Sequence, residues 1–163
     1  MKTIVLNFHP DMAHSNRIKA AVEYLKHQPN VTIREIATEY KATPEGIKAE
    51  QEILLAHDRI VFLYPIHWAM CPWLGKKYID EVFQIGFSHV YEASTHCKLA
   101  GKTLRQVISV GAPKSVWPML GGMPEGASTL PYKLMAGFTG MKYEEPFIFH
   151  SDEDLKVLEG LKF

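Results

Sequence analysis

The run Arg59-Ile60-Val61-Phe62-Leu63-Tyr64 carries two β-branched and two aromatic residues with no polar interruption after Arg59. A half-exposed strand alternates polar and apolar positions, whereas an unbroken apolar run reads as a strand covered on both faces, the pattern of a parallel sheet flanked by helices. Pro65 and Pro72 bracket the segment that follows. Each lacks a donor and pushes its predecessor toward extended geometry, so neither strand nor helix continues through it. The intervening turn therefore lies at the carboxyl end of a buried strand, where open α/β sheets bind their ligands.

The rest of the chain alternates in the same way. Thr3 to Phe8 reads as a first strand, and Ser15 or Asn16 as the cap of a helix that buries Ile18, Ala21, Val22 and Leu25 and runs to about His27. A short strand, Val31 to Ile36, precedes a helix opened by Thr43-Pro44 that turns Ile47, Ile53, Leu54 and Leu55 inward. Further helices are expected at 72–84, 130–138 and 152–161, and further strands at 104–110 and 146–150. The segment Lys114 to Ser128 holds so many prolines and glycines that it reads as a long functional loop. These elements predict one α/β domain over residues 1–163, a doubly wound five-stranded parallel sheet of flavodoxin-like order 2-1-3-4-5. The crevice would open beside the ends of strands 1, 3 and 4.

Charge narrows the partners. Lys plus Arg equals Asp plus Glu at 18 each, so no basic field exists to condense on nucleic acid or an anionic membrane. No apolar run approaches the roughly 20 residues that span a bilayer, and neither membrane insertion nor a leader is expected. Cys71 and Cys97 are the two cysteines and lack metal or disulfide spacing, which predicts a reducing, cytoplasmic setting. No His-Glu-x-x-His, Gly-x-Ser-x-Gly, GxGxxG or P-loop pattern occurs, so metal, acyl-transfer and nucleotide-hydrolase chemistries lack their motifs.

Three loops carry the chemistry that is left. The first, His9 to Arg17, sets imidazole, hydroxyl, amide and guanidinium groups before a helix amino terminus, which suits a phosphate; the plainer reading is that Ser15 and Asn16 only cap the helix. The second, Pro65-Ile66-His67-Trp68-Ala69, offers backbone N–H groups and an indole to a planar heterocycle, although a lone Trp is most often core and a lone turn His most often solvated. The third, Ser109-Val110-Gly111-Ala112, is small enough for a ring to approach its backbone. Cys71 reads as a small buried residue rather than a nucleophile.

With Lys2-Thr3-Ile4-Val5-Leu6, His9-Pro10, Tyr64-Pro65-x-x-Trp68-x-x-x-Pro72, Ile79-Asp80-x-Val82-Phe83, Leu99-Ala100-Gly101-Lys102 and Phe138-Thr139-Gly140-Met141 in place, the chain resembles the flavodoxin-like NAD(P)H oxidoreductases. That family includes quinone reductases of the DT-diaphorase type and the ancillary flavoproteins of bacterial potassium-efflux systems. The resemblance implies a homodimer, FMN with FAD as the alternative, NAD(P)H as co-substrate, and ping-pong hydride transfer to a quinone or similar small electron acceptor. Carried over by position, it implies that His9, Ser15 and Asn16 hold the ribityl-phosphate side of the flavin, Pro65, Ile66, His67, Trp68 and Ala69 its ring edge, and Ser109, Val110, Gly111 and Ala112 its other side, with Trp117 and Met123 walling the substrate pocket. The chain departs from the family where Ile18 stands in place of the usual Asn and where Ser109 to Ala112 replaces Thr-Thr-Gly-Gly. Two other readings stay open: a flavin-binding regulator of a partner protein, and a domain that has lost its cofactor.

Overall fold

The computed structural model describes residues 1–89, 97–117 and 125–163. Six parallel strands form one sheet: β1 (Thr3–Asn7), β2 (Val31–Glu35), β3 (Arg59–Pro65), β4 (Thr103–Val110), β5 (Lys142–Tyr143) and β6 (Phe147–His150). Their order is β2-β1-β3-β4, with β5 and β6 both paired to β4, one to each half of it. The expected order is therefore present, but the fifth strand is two. Glu144 to Pro146 interrupts it: Pro146 has no N–H for the ladder, and the Glu144 carboxylate takes the Arg59 guanidinium at 2.9 and 3.0 Å.

The helices are α1 (Arg17–Lys26), a single turn α2 (Ile36–Glu39), α3 (Pro44–Leu55), α4 (Trp73–Val82) and α5 (Glu125–Phe138). Thr43 caps α3 as its sequence suggests, accepting from the Gly46 N–H at 3.1 Å. Two helices differ from expectation. α5 starts at Glu125 and runs through Pro131, because burial of Ser128, Thr129, Tyr132 and Ala136 outweighs the breakers in that stretch. The last element is a 3-10 turn, Leu155–Gly160, capped by Asp154 rather than by Ser151 or Asp152.

Alternation along the strands sorts side chains into two cores. Ile4, Leu6, Phe8, Ile60, Phe62 and Tyr64 face α3, α4 and α5, while Val5, Val61, Leu63, Val107 and Phe149 face α1 and the final 3-10 turn. The unbroken run of β3 is thus explained, since both of its faces are dry. On α3 the inward stripe is not wholly apolar: Leu55 is exposed, and Glu50 is buried, bonded to the Tyr78 hydroxyl at 3.0 Å and to Arg34. Paired in this way the carboxylate is compensated, and removing one partner alone would leave a buried charge.

Gly75 lets α4 settle against β1. A Cβ there would stand 3.0 Å from both Cys71 Sγ and Phe8 Cδ2, and the Phe8 ring is locked by Phe62 and Tyr78 at centroid distances of 5.1 and 5.5 Å. Gly75→Ala should gain about 1 kcal/mol of helix propensity and lose roughly 1–3 kcal/mol to overpacking. The expected outcome is a net loss of about 1 kcal/mol, read as a lower denaturation midpoint in urea at unchanged m-value.

Candidate functional site

Register levels the strand ends. Asn7 pairs with Leu63, and Pro65 with Ser109, so the chain leaves β1, β3 and β4 along one edge of the sheet. The loops are also tied to one another. Phe8 N donates to Leu63 O at 2.9 Å and Ile66 N to Ser109 O at 2.8 Å. His67 lies near enough to His9 to oppose a proton there.

In the first loop Asn7, fully buried, accepts from the His9 N–H at 3.0 Å. His9 Nδ1 in turn accepts from the Asp11 N–H at 3.1 Å, which fixes the neutral tautomer with its proton on Nε2. Burial, and then the neighbouring His67, lowers the His9 pKa below the ordinary histidine value, against a smaller opposing pull from Asp11. Asp11 caps the 3-10 turn Met12–His14, accepting from the Ala13 N–H at 3.1 Å. Asn16 occupies the N-cap position of α1, but its φ of −96° and ψ of −51° are helical, and neither it nor Ser15 bonds the first-turn N–H groups. The capping expected of them is absent. Those N–H groups have no intrahelical partner either, and they carry the positive end of the helix dipole.

The second loop is a tight hairpin. His67 and Met70 exchange backbone hydrogen bonds at 2.8 and 3.0 Å around Trp68 and Ala69, whose φ values are 50° and 66°. Two positive φ values define the mirror-image turn that Asn-Gly normally fills. Neither residue is glycine, so the turn stores strain of order 1–3 kcal/mol per residue. Trp68 lies 97% exposed on it, which sets aside the plainer reading of a core indole, and His67 is exposed as well.

The third loop is clamped from β6, with His150 Nδ1 3.2 Å from Ala112 O. Ser109 and Val110 are buried, Ala112 is half-buried and Gly111 is exposed. A Cβ on Gly111 would meet nothing within 4 Å. The protein's own packing does not require a glycine there.

Trp117 sits half-buried beside the His150 ring, 6.5 Å centroid to centroid, and shares a small void with Ile66, Ile108, Val110, Ser128 and Ile148. It thus stands next to the second and third loops, with its indole packed down onto the strand ends. Met123 lies outside the described residues. Cys71, just beyond the hairpin, is buried; burial raises its pKa, with the Tyr132 hydroxyl opposing, and the thiol stays neutral at pH 7. It borders a groove of about 290 Å³ with Met70, Ile79, Tyr132 and Met135. Asn7 is marked in the sequence only as an amide that closes an apolar strand.

The family model for a flavodoxin-like fold, Flavodoxin_2, matches residues 1–160. The chain belongs to that family. Within it, the NAD(P)H oxidoreductase YdeQ of Bacillus subtilis is 36% identical over 149 residues, covering 90% of this chain and 74% of that protein. The glutathione-regulated potassium-efflux system ancillary protein KefG of an Enterobacter species is 31% identical, covering 91% and 81%. Among solved structures, general stress protein 14 of Treponema denticola, in complex with FMN, superposes with a TM-score of 0.83 at 27% identity, covering 98% of this chain and 92% of that one.

Two outcomes test the site geometry. Trp68→Asn with Ala69→Gly removes the strain and gives up only the half-buried Ala69 methyl, so the melting temperature should rise by roughly 3–6 °C, read by calorimetry; an unchanged or lower value would count against a strained turn. In a histidine NMR titration the His9 midpoint should fall below the ordinary value and move up in His67→Gln without reaching it, because burial is the larger cause. With its folded pKa depressed, His9 takes stability away as pH falls from the unfolded value through the folded one.

Proposed function

We propose that this chain is an FMN-dependent NAD(P)H oxidoreductase acting on quinones or other small electrophiles. The observation that carries this reading is the strained Trp68–Ala69 turn, holding an exposed indole at the end of β3 next to His67, whose charge is felt at His9, and tied through Ile66 to Ser109. The residues present fit a flavin. The uncapped head of α1, with the Ser15 side and the neutral His9, suits the phosphate, and the open space over Gly111 admits a flat ring. Bound there, FMN would supply reversible two-electron chemistry, receiving hydride from reduced nicotinamide and delivering it to the acceptor.

The chain's own residues supply position and field. The Trp68 and Ala69 N–H groups, which bond no described residue, would border one edge of the ring, with no charged side chain in the 65–69 segment. Trp68 and Trp117 offer apolar surface for a second flat molecule, so donor and acceptor would take turns in one place, a ping-pong scheme. A second copy of the chain would complete the ledge: α5 exposes Leu130, Leu134 and Phe138 at four-residue spacing, and α4 exposes Trp73 beside Lys76 and Asp80. Cys71 and Cys97, both free, suit a reducing cytoplasm, and no helix among the described residues is long and apolar enough to cross a membrane. The likeness to KefG favours a second reading, a flavin-binding ancillary subunit of another protein whose turnover is incidental.

The test is spectroscopic. Protein supplied with FMN or with FAD, then desalted, should stay yellow with FMN and bleach anaerobically on adding NADPH or NADH. Turnover with a quinone far above idle oxidation by dioxygen supports the enzyme, and equal rates support the ancillary role. Gly111→Val should keep its fold yet lose most of its flavin, because no described residue lies within 4 Å of a Cβ there and a bound ring would meet it. A wild-type protein that stays colourless with both flavins would overturn the reading.

A further inference from the structure

We propose that Asn7 is a positioning residue that shapes the first loop to receive a phosphate; the inference rests on the flavin reading and names a part of that site which no motif marks. Asn7 closes β1 at zero exposure, where every other member of the strand core is apolar apart from Thr3. A buried amide is retained only when its groups are bonded. Here Oδ1 accepts from the His9 N–H at 3.0 Å, while Nδ2 donates to Glu35 Oε2 at 2.8 Å and lies 3.1 Å from Met12 Sδ.

These partners belong to the loop and to the end of β2, and none belongs to the sheet core. One amide therefore fixes the chain on both sides of Pro10 and anchors it to β2. From it hangs a series of local bonds. His9 Nδ1 holds the Asp11 N–H, Asp11 holds Ala13, and Met12 O accepts from the Ser15 N–H at 3.3 Å. That series ends at the uncapped head of α1. A leucine of similar shape would fill the same space in the strand. What it would lose is the orientation of the His9 peptide and of the helix terminus beyond it. Of the other buried polar clusters, Glu50 with Tyr78 and Arg34 bonds helix to helix and strand, and Gln106 with Tyr64 and Tyr143 bonds strand to strand.

Affinity for FMN against riboflavin, which has the same ring without the phosphate, separates positioning from general destabilisation. Asn7→Leu should weaken FMN binding about tenfold, the worth of about one charge-assisted hydrogen bond, and leave riboflavin binding unchanged. Asn7→Asp should weaken FMN similarly, because the new carboxylate faces Glu35. Asn7→Asp combined with Glu35→Gln reverses the donor and acceptor at conserved net charge and should restore the wild-type ratio. If Asn7→Leu does not fold, the single and double Asp variants decide. An FMN to riboflavin ratio that stays at the wild-type value in Asn7→Leu, or that is equal in the two Asp variants, would overturn the role of Asn7 alone. Wild-type protein that binds neither flavin would overturn the flavin reading and this assignment with it.

Discussion

Parallel pairing of β1, β3 and β4 is the constraint on which the rest depends. Because both faces of β3 are buried, its register against its neighbours has no freedom to slip: a shift by one residue would exchange Val61 and Leu63 for Phe62 and Tyr64 between two cores of different shape. Fixed register brings three turns to one edge at one height. Each turn is chemically ordinary. Their joint placement turns a polar helix terminus, a displayed indole and an open glycine into one surface.

The division of labour between core and edge also explains where the molecule tolerates strain. A left-handed Trp68–Ala69 pair would unravel on a free loop. Here it is pinned by two backbone hydrogen bonds across its base, by Ile66 bonded to β4, and by Cys71 and Pro72, both buried. A neutral thiol suits that position, since it packs against Gly75 without demanding a counter-charge. The rigid part of the structure over-determines the strained part, which lets a site keep a conformation that its own residues disfavour.

What the sequence discloses follows from range. Apolar runs and their Pro and Gly punctuation are local signals, and they disclose the sheet order, the Thr43-Pro44 helix start and the three loops. Features that depend on distant partners stay hidden. Glu144 breaks the edge strand because Arg59, 85 residues away, claims its carboxylate. Asn7 meets Glu35 across 28 residues. α5 passes through Pro131 because Tyr132 packs on Phe62 and Tyr64. The Trp68–Ala69 conformation had no compositional sign at all, since the residues that usually adopt it are asparagine and glycine.

The divided edge strand has a consequence for the company the protein keeps. A sheet whose outermost strand offers a long, regular row of unpaired peptide groups invites another chain to add to it, and the end point is fibre. β5 and β6 present two and four residues on either side of a proline, and Arg105 occupies the gap by bonding Glu145 O at 3.0 Å. Strand-to-strand growth finds no template there. The exposed apolar side chains lie off that edge instead, on α4, α5 and the hairpin after β3, on surfaces whose shape can select one partner and close.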